Sequence, residues 1–240
     1  MKYVFCDCRV PLEMRKRLSG EGFTVLPIYE SKGLSAPVCA HTDLSVLKIG
    51  ERLLVRREVT EWYPFLREAQ GVVLSDEAVL PRYPEETKFC AKVVGRTIYH
   101  GRAVATDVSE LAREEGLTPC EVKQGYVACN LLVLDEGHAI TSDRALARTL
   151  IAHGVDVLLI CEGHITLAPY PYGFIGGTSG TFSGRVYFLG DVRMHPDGER
   201  MLCYIASLGL EAVCLGEGEL FDGGGLVFWE DTTLPVCENT

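Results

Sequence analysis

The feature that most constrains this chain is internal repetition. The segments "YVFCDCRVPLEMRKRLSGEGFTVLPI", "HAITSDRALARTLIAHGVDVLLI" and "VYFLGDVRMHPDGERMLCYIASLGLEAVCL" all run strand, polar turn, helix, Gly, strand. In each, a β-rich run ends at Asp7, Asp143 or Asp191. A carboxylate there is expected to cap the free N–H groups of a helix start and to complement its dipole. The helical stretch ends near Gly22, Gly154 or Gly209, residues able to take the left-handed cap conformation. Two weaker copies fill the gap. One runs from Thr60 through "EWYPFLREAQ" to "GVVL"; the other runs from Asp107 through "VSELAREEG" to "LTPCEV", with Asp107 and Glu110 read as a capped start. The helix starts are spaced by roughly 36 to 52 residues, the range of periodic architectures.

Each helix–strand pair is followed by an apolar hairpin: "CAHTDLSVLKIGERLLV", "KFCAKVVGRTIYHG", "YVACNLLVLDEGHAIT", "GFIGGTSGTFSGRVYFLG" and "LFDGGGLVFWED", with Gly50, Gly137 and Gly184 at three of the turns. Aligning "TDLSVL", "CNLLVL" and "GGLVFW" makes Asp43, Asn130 and Gly225 equivalent, with Lys92 and Gly177 as the fourth and fifth members. One such unit cannot bury both faces of its sheet and its helix, whereas five units around an axis can, leaving only short edges. The expected fold is therefore an α/β propeller of five pseudo-symmetric strand–helix–strand–hairpin repeats in a single domain, spanning roughly 1–56, 57–102, 103–141, 142–190 and 191–240. A doubly wound α/β sheet would share the helix–strand alternation but leaves the extra hairpins unexplained.

The five-unit rhythm and the phrases "HTDLSVL", "VACNLLVL", "GFIGGTSG" and "FDGGGLVFW" resemble the pentein superfamily, which comprises guanidino-group-modifying enzymes and ribosome anti-association factors. For the enzymes, the resemblance implies a nucleophilic Cys just after a Gly-rich phrase of the last blade, a general acid/base His, and carboxylates that hold the guanidinium. The matching phrase here is Gly223-Gly224-Gly225-Leu226-Val227-Phe228-Trp229, and it is followed only by Cys237, near the terminus.

Other residues offer chemistry of their own. Cys39, His41 and Asp43 alternate along a predicted strand, which would put all three on one face, neighbours about 6.5–7 Å apart, as a base-activated thiol or half a metal site. Gly beside an acidic residue at strand ends, as at Glu162-Gly163 and around Gly218 between Glu217 and Glu219, would aim Glu162, Glu217 and Asp222 at one anionic mouth, with His164 beside it. Gly176-Gly177-Thr178-Ser179-Gly180 lacks a P-loop Lys and reads as close backbone approach near the axis, leaving Thr178 and Ser179 as ligand contacts. Asp43, Lys92, Asn130 and Thr178 form an expected polar hub ring with Cys129 alongside, and the insert Tyr170-Pro171-Tyr172 would make a lid.

The formal charge of −10, from 33 acidic and 23 basic residues, argues against a nucleic-acid backbone binder. No apolar leader stands at the N-terminus and no apolar run of membrane-spanning length occurs, so a cytoplasmic chain with mostly reduced thiols and no membrane partner is expected. Cys90, Cys129, Cys161, Cys203 and Cys214 sit in apolar runs and read as core residues. The first functional expectation is a site for a small polar or cationic molecule at the pseudo-fivefold centre, in a divergent or degenerate guanidino/amidino-modifying hydrolase without cofactor. The alternatives are a non-catalytic binding or scaffold protein, its protein partners unspecified, and a metal-dependent hydrolase using Cys39, His41, Asp43 and His164.

Overall fold

A computed structural model describes residues 1–231. Along the chain, β1 (Lys2–Asp7), α1 (Leu12–Gly20) and β2 (Thr24–Ile28) make a parallel β-α-β unit. β3 (Val46–Ile49) and β4 (Arg52–Arg56) form a hairpin; after α2 (Val59–Trp62), β5 (Val72–Ser75) joins parallel to β4. The pattern recurs with β6 (Lys92–Val94), β7 (Thr97–His100), α3 (Thr106–Glu114) and β8 (Thr118–Glu121). The short α4 (Val127–Asn130) leads into β9 (Leu131–Val133), β10 (His138–Thr141), α5 (Arg144–Ala152) and β11 (Asp156–Leu159). β12 (Ser179–Phe182), β13 (Arg185–Phe188), α6 (Gly198–Ser207) and β14 (Glu211–Cys214) follow, and β15 (Val227–Glu230) pairs antiparallel with β1 to complete the first sheet. The result is five three-stranded sheets, each an antiparallel hairpin plus one parallel strand. This is the five-repeat propeller expected from the repeats, and it displaces the doubly wound alternative.

Strand periodicity explains why five small sheets suffice. Successive side chains of β1 point to opposite faces. Tyr3 and Phe5 enter one apolar core with Leu53, Val55 and Trp229, while Val4 and Cys6 enter another with Tyr187, Leu189 and Phe228. The same alternation splits Leu53 from Leu54 on β4. Each of five cores lies between two neighbouring sheets, so every blade is glued on both faces. The inner strands β15, β3 and β6 neighbour one another in turn, as do β9, β12 and β15, so their first residues gather at a hub.

Local chemistry departs from expectation in several places. Asp143 caps α5 as expected, its carboxylate accepting from the N–H groups of Ala145 and Leu146. Asp7 instead grips the Arg9 guanidinium, and α1 starts later, at Leu12. Asp191 caps a 3-10 turn over Val192–Met194, ahead of α6. Asp107 accepts from the Ser75 hydroxyl, and the N–H of Thr106 is taken by Glu77 rather than by the expected capping pair. Pro64 cuts the segment after Thr60 into α2 and a 3-10 turn over Pro64–Arg67. Gly22, Gly154 and Gly209 follow their helices with φ of 89°, 83° and 73°, as a left-handed cap requires.

The largest correction concerns Cys39, His41 and Asp43. They lie on no strand: Pro37 presets a 3-10 turn over Ala36–Val38, a second covers Thr42–Leu44, and β3 starts only at Val46. Their side chains therefore diverge. Among the thiols, Cys161 and Cys203 are exposed and Cys214 half-exposed, since each lies at a blade's outer layer; Cys90 and Cys129 are buried. All the cysteines among the described residues are free, and Cys237 lies outside that range. No helix among the described residues is long and apolar enough to cross a membrane.

Candidate functional site

The hub is built by loops that enter the inner strands, which is why its residues come from distant parts of the sequence. Close backbone approach makes it tight. Gly224, at φ 71°, packs against the backbone of His41 and Thr42, and its carbonyl accepts from the N–H of Asp43. A Cβ at Gly177 would overlap the Asp222 carboxylate, and one at Gly176 would overlap the carbonyl of Ala128. These glycines therefore let the last two blades approach His41 and Ala128 closely.

Two clusters meet at Cys129. On one side, ligand-type atoms of His41, Cys129 and Asp222 lie within 4.8 Å of one another, all three residues buried. His41 Nδ1 is 3.8 Å from Asp222 Oδ1, and neither imidazole nitrogen has a hydrogen-bond partner. Desolvation pushes the His41 pKa down against the pull of Asp222, so the ring is neutral at neutral pH. Asp222 is fixed by the N–H groups of Phe174 at 2.9 Å and Gly224 at 3.0 Å, while burial pushes its carboxyl up. On the other side, the thiols of Cys129 and Cys90 donate to Asp43 Oδ2 at 2.7 and 3.4 Å. Burial raises Asp43 to about 6, opposed by those thiols and by Lys92. The hydrogen bond with Cys90, with burial second, holds Cys129 well above the ordinary thiol range.

His41, Cys129 and Asp222 line a cavity of about 570 Å³, a size suited to a small molecule. Its walls are Tyr83, Tyr126, Tyr170, Tyr172 and Phe174, with Arg82 and Glu86 among the charged groups. Glu86 is 3% exposed and accepts from the Tyr126 hydroxyl and from the N–H and hydroxyl of Ser35. The insert Tyr170-Pro171-Tyr172 stands at this cavity. Asp43 and Lys92 line a second cavity of about 410 Å³, with Asp135 and Glu136.

The residues expected from the sequence are thus partly brought together. His41, Asp43, Lys92, Cys129 and Asp222 meet at the hub. Thr178 and Ser179 are buried nearby, but Ser179 donates to the carbonyl of Ile175, and the hydroxyl of Thr178 is unpartnered. Asn130 donates to the carbonyl of Tyr126 and serves the backbone. Cys39 points away, toward Arg9, Glu30 and Asp7. The anionic mouth does not form: Glu162 is exposed and takes the Tyr172 hydroxyl, and exposed Glu217 faces Arg17 at 3.8 Å. His164, at φ 62°, packs edge-on against His195 outside the hub. The bends there turn the chain outward along the blade, so only Asp222 of the three carboxylates reaches the axis. The ligand set Cys39, His41, Asp43 and His164 is likewise not assembled. Glu86, Tyr126 and Cys90 were not singled out for the site; Pro84 and Glu85 start the 3-10 turn that carries Glu86 inward, a signal no repeat alignment contains.

Comparison with known proteins agrees with this architecture. No curated protein sequence matches the chain. Among solved structures, dimethylarginine dimethylaminohydrolase from Pseudomonas aeruginosa, a mutant complexed with citrulline, is 13% identical, with 89% of this chain and 91% of that one covered at a TM-score of 0.59. An amidinotransferase of the saxitoxin pathway from Microseira wollei is 12% identical, covering 89% and 88% at 0.55. A Campylobacter jejuni (C. jejuni) agmatine deiminase with substrate bound is 9% identical, covering 95% and 92% at 0.55. At such identities the likeness concerns the fold. The model of a family of unknown function, DUF6873, matches residues 5–227. The chain belongs to that family, and its five blades have the pentein fold that these solved structures share.

Proposed function

We propose that this protein is a thiol-dependent hydrolase of a small cationic amidino or guanidino compound, with Cys129 as nucleophile. The observation that carries this reading is the convergence of Cys129, His41 and Asp222 on one cavity that the buried Glu86 also lines. Carboxylates in a site of low dielectric favour a planar cation that can donate several hydrogen bonds. The enzymes of known structure that share the fold act on guanidino compounds, which adds support without fixing the substrate.

The chemistry follows from the pKa directions. In the free protein both Cys129 and His41 are neutral. A bound cation beside Cys129 stabilises the thiolate, and Asp43, raised to about 6 and already accepting the S–H, is placed to take the proton. The sulfur then adds to the central carbon, an amine leaves with a proton that His41 relays, and water displaces the sulfur from the carbon. The net reaction consumes one water and releases one amine or ammonia. The test is incubation with arginine, methylated arginines, agmatine and simple amidines, with amine release followed and the Cys129→Ser variant as control. Release that depends on Cys129 supports the reading; no release from any of them overturns it.

The neutral state of Cys129 and His41 favours a second reading, a binding protein that holds the same cation without turning it over. Thermal stabilisation by one of these compounds, without release of amine, would select it.

A further inference from the structure

Cys129 belongs to two clusters, and the proposed hydrolysis uses Asp43 of the second but gives Cys90 no step. Asp43 Oδ2 accepts from the Cys129 thiol at 2.7 Å and from the Cys90 thiol at 3.4 Å. One ligand-type atom of each residue lies within 4.8 Å of the others, all three buried. Asp43 is 6% exposed, yet its other oxygen, Oδ1, is buried with no hydrogen-bond partner. An unpartnered buried carboxylate oxygen costs roughly 1–3 kcal/mol, so it marks a position where a ligand would be favourable.

We propose that Asp43, Cys90 and Cys129 form a site for a thiophilic divalent metal ion of the zinc type, which silences the protein by occupying the sulfur of Cys129. Two thiolates and one carboxylate suit zinc or cobalt and disfavour magnesium and calcium, which prefer oxygen. Three protein ligands also match the number used where a fourth position stays exchangeable. On binding, each thiol gives up its proton to solvent and forms a sulfur–metal bond. A divalent ion with two thiolates and one carboxylate keeps one negative charge. The Lys92 ammonium, which interacts electrostatically with Asp43, Cys90 and Cys129, lies where it answers that charge. The ligands come from three different blades, from the turn before β3, the approach to β6, and α4, so the ion would also fasten the hub.

The silencing role rests on Cys129 being the nucleophile; the metal site does not, and the experiment separates them. Metal-free protein carrying Cys161→Ser, which removes the more exposed Cys161–His195–Asp197 group, is titrated with Co²⁺. A thiolate-to-cobalt charge-transfer band saturating at one ion per chain is expected, displaced by Zn²⁺, lost in Cys90→Ser and kept in His41→Ala. A band lost in His41→Ala but kept in Cys90→Ser would place the ion on His41, Cys129 and Asp222 and overturn the proposal, as would the absence of any band. X-ray absorption of the zinc form covers the case in which Cys90→Ser does not fold: two sulfur scatterers are expected, and one sulfur overturns the site. Where turnover is measurable, Zn²⁺ should inhibit the parent and lose at least tenfold potency against Cys90→Ser, each form being compared with its own metal-free rate. Inhibition equal in both would overturn the silencing role while leaving the hydrolase reading intact.

Discussion

His41 and Asp222 face each other at 3.8 Å with both side chains fully shut off from solvent, although they come from opposite ends of the chain. In the proposed hydrolase this imidazole and carboxylate handle protons beside the Cys129 thiol in the cavity that all three line. His41→Ala should therefore lower turnover by about 10²–10⁴-fold. Because the ring makes no hydrogen bond, KM should move much less than kcat. Steady-state kinetics on the best substrate of the panel checks this split.

Removal of the sulfur should be more severe. Cys129→Ala is expected to reduce turnover on the order of 10³-fold or more. Cys39→Ala, whose thiol faces Arg9 rather than the cavity, should leave turnover within a factor of about two and cost stability instead, by roughly 1 kcal/mol for a small buried side chain. Loss of turnover in the Cys39 variant and retention in the Cys129 variant would reverse the assignment.

Stability should depend on pH through two buried groups of opposite sign. Asp43 is raised from 3.8 to about 6 in the folded protein. Below 3.8 both states are protonated; as pH rises from there to about 6 the unfolded state ionises first, so the stability contributed by Asp43 is lost across that window. Asp43→Asn should thus stabilise the fold relative to the parent more at pH 8 than at pH 4, by an amount of order 1–3 kcal/mol, and raise the melting temperature accordingly. His41 is lowered below 6.5, so the unfolded state takes up a proton first as pH falls through 6.5, and stability drops on that acid side. His41→Ala should flatten this part of the profile. Melting curves from pH 4 to 8 test both slopes.

The Glu86 wall should govern affinity rather than chemistry. Glu86→Gln keeps the volume but removes the charge, and its single amide oxygen can accept from Ser35 or from Tyr126 but not from both. For a cationic substrate KM should rise about tenfold, corresponding to roughly 1.4 kcal/mol, with little change in kcat. A neutral ligand should bind both forms equally, which titration calorimetry can measure.

Gly177→Ala should be disproportionately harmful for so small a change. The added methyl would overlap the Asp222 carboxylate and push it from the N–H groups of Phe174 and Gly224. A loss of about 1–3 kcal/mol in stability is expected, together with weakened ligand binding. Gly218→Ala, where nothing lies within 4 Å of the added carbon, serves as the control and should be near neutral.

The repeat was legible because it is local. A strand, helix and Gly cap recur along the chain, and five such units dictate five sheets. Asp43 and Lys92 could be placed at the centre because they stand at the same point of successive units, where hairpins begin, and Cys129 directly precedes the equivalent Asn130. The side-chain partners were not legible. Alternation of Cys39, His41 and Asp43 suggested a strand, but Pro37 favours tight turns, and a turn sends alternate residues in different directions. Glu162 and Glu217 mimic Asp222 in their glycine neighbours, yet Asp222 is held by the N–H of Phe174, from another part of the chain. Such contacts depend on how blades sit beside one another, which no short stretch of sequence encodes.

The first sheet joins β1 to β15, and Met1 donates to the carbonyl of Asp231 at 2.7 Å. Four other blades can assemble from segments near one another along the chain, but this seam requires its two extremes to find each other. Closing so large a loop is slow, and β-rich chains dominated by distant pairings fold over milliseconds to seconds. Refolding should accordingly show early burial of aromatic side chains in the middle blades, with ligand-binding competence arriving last, as the seam zips and carries Asp222 to His41.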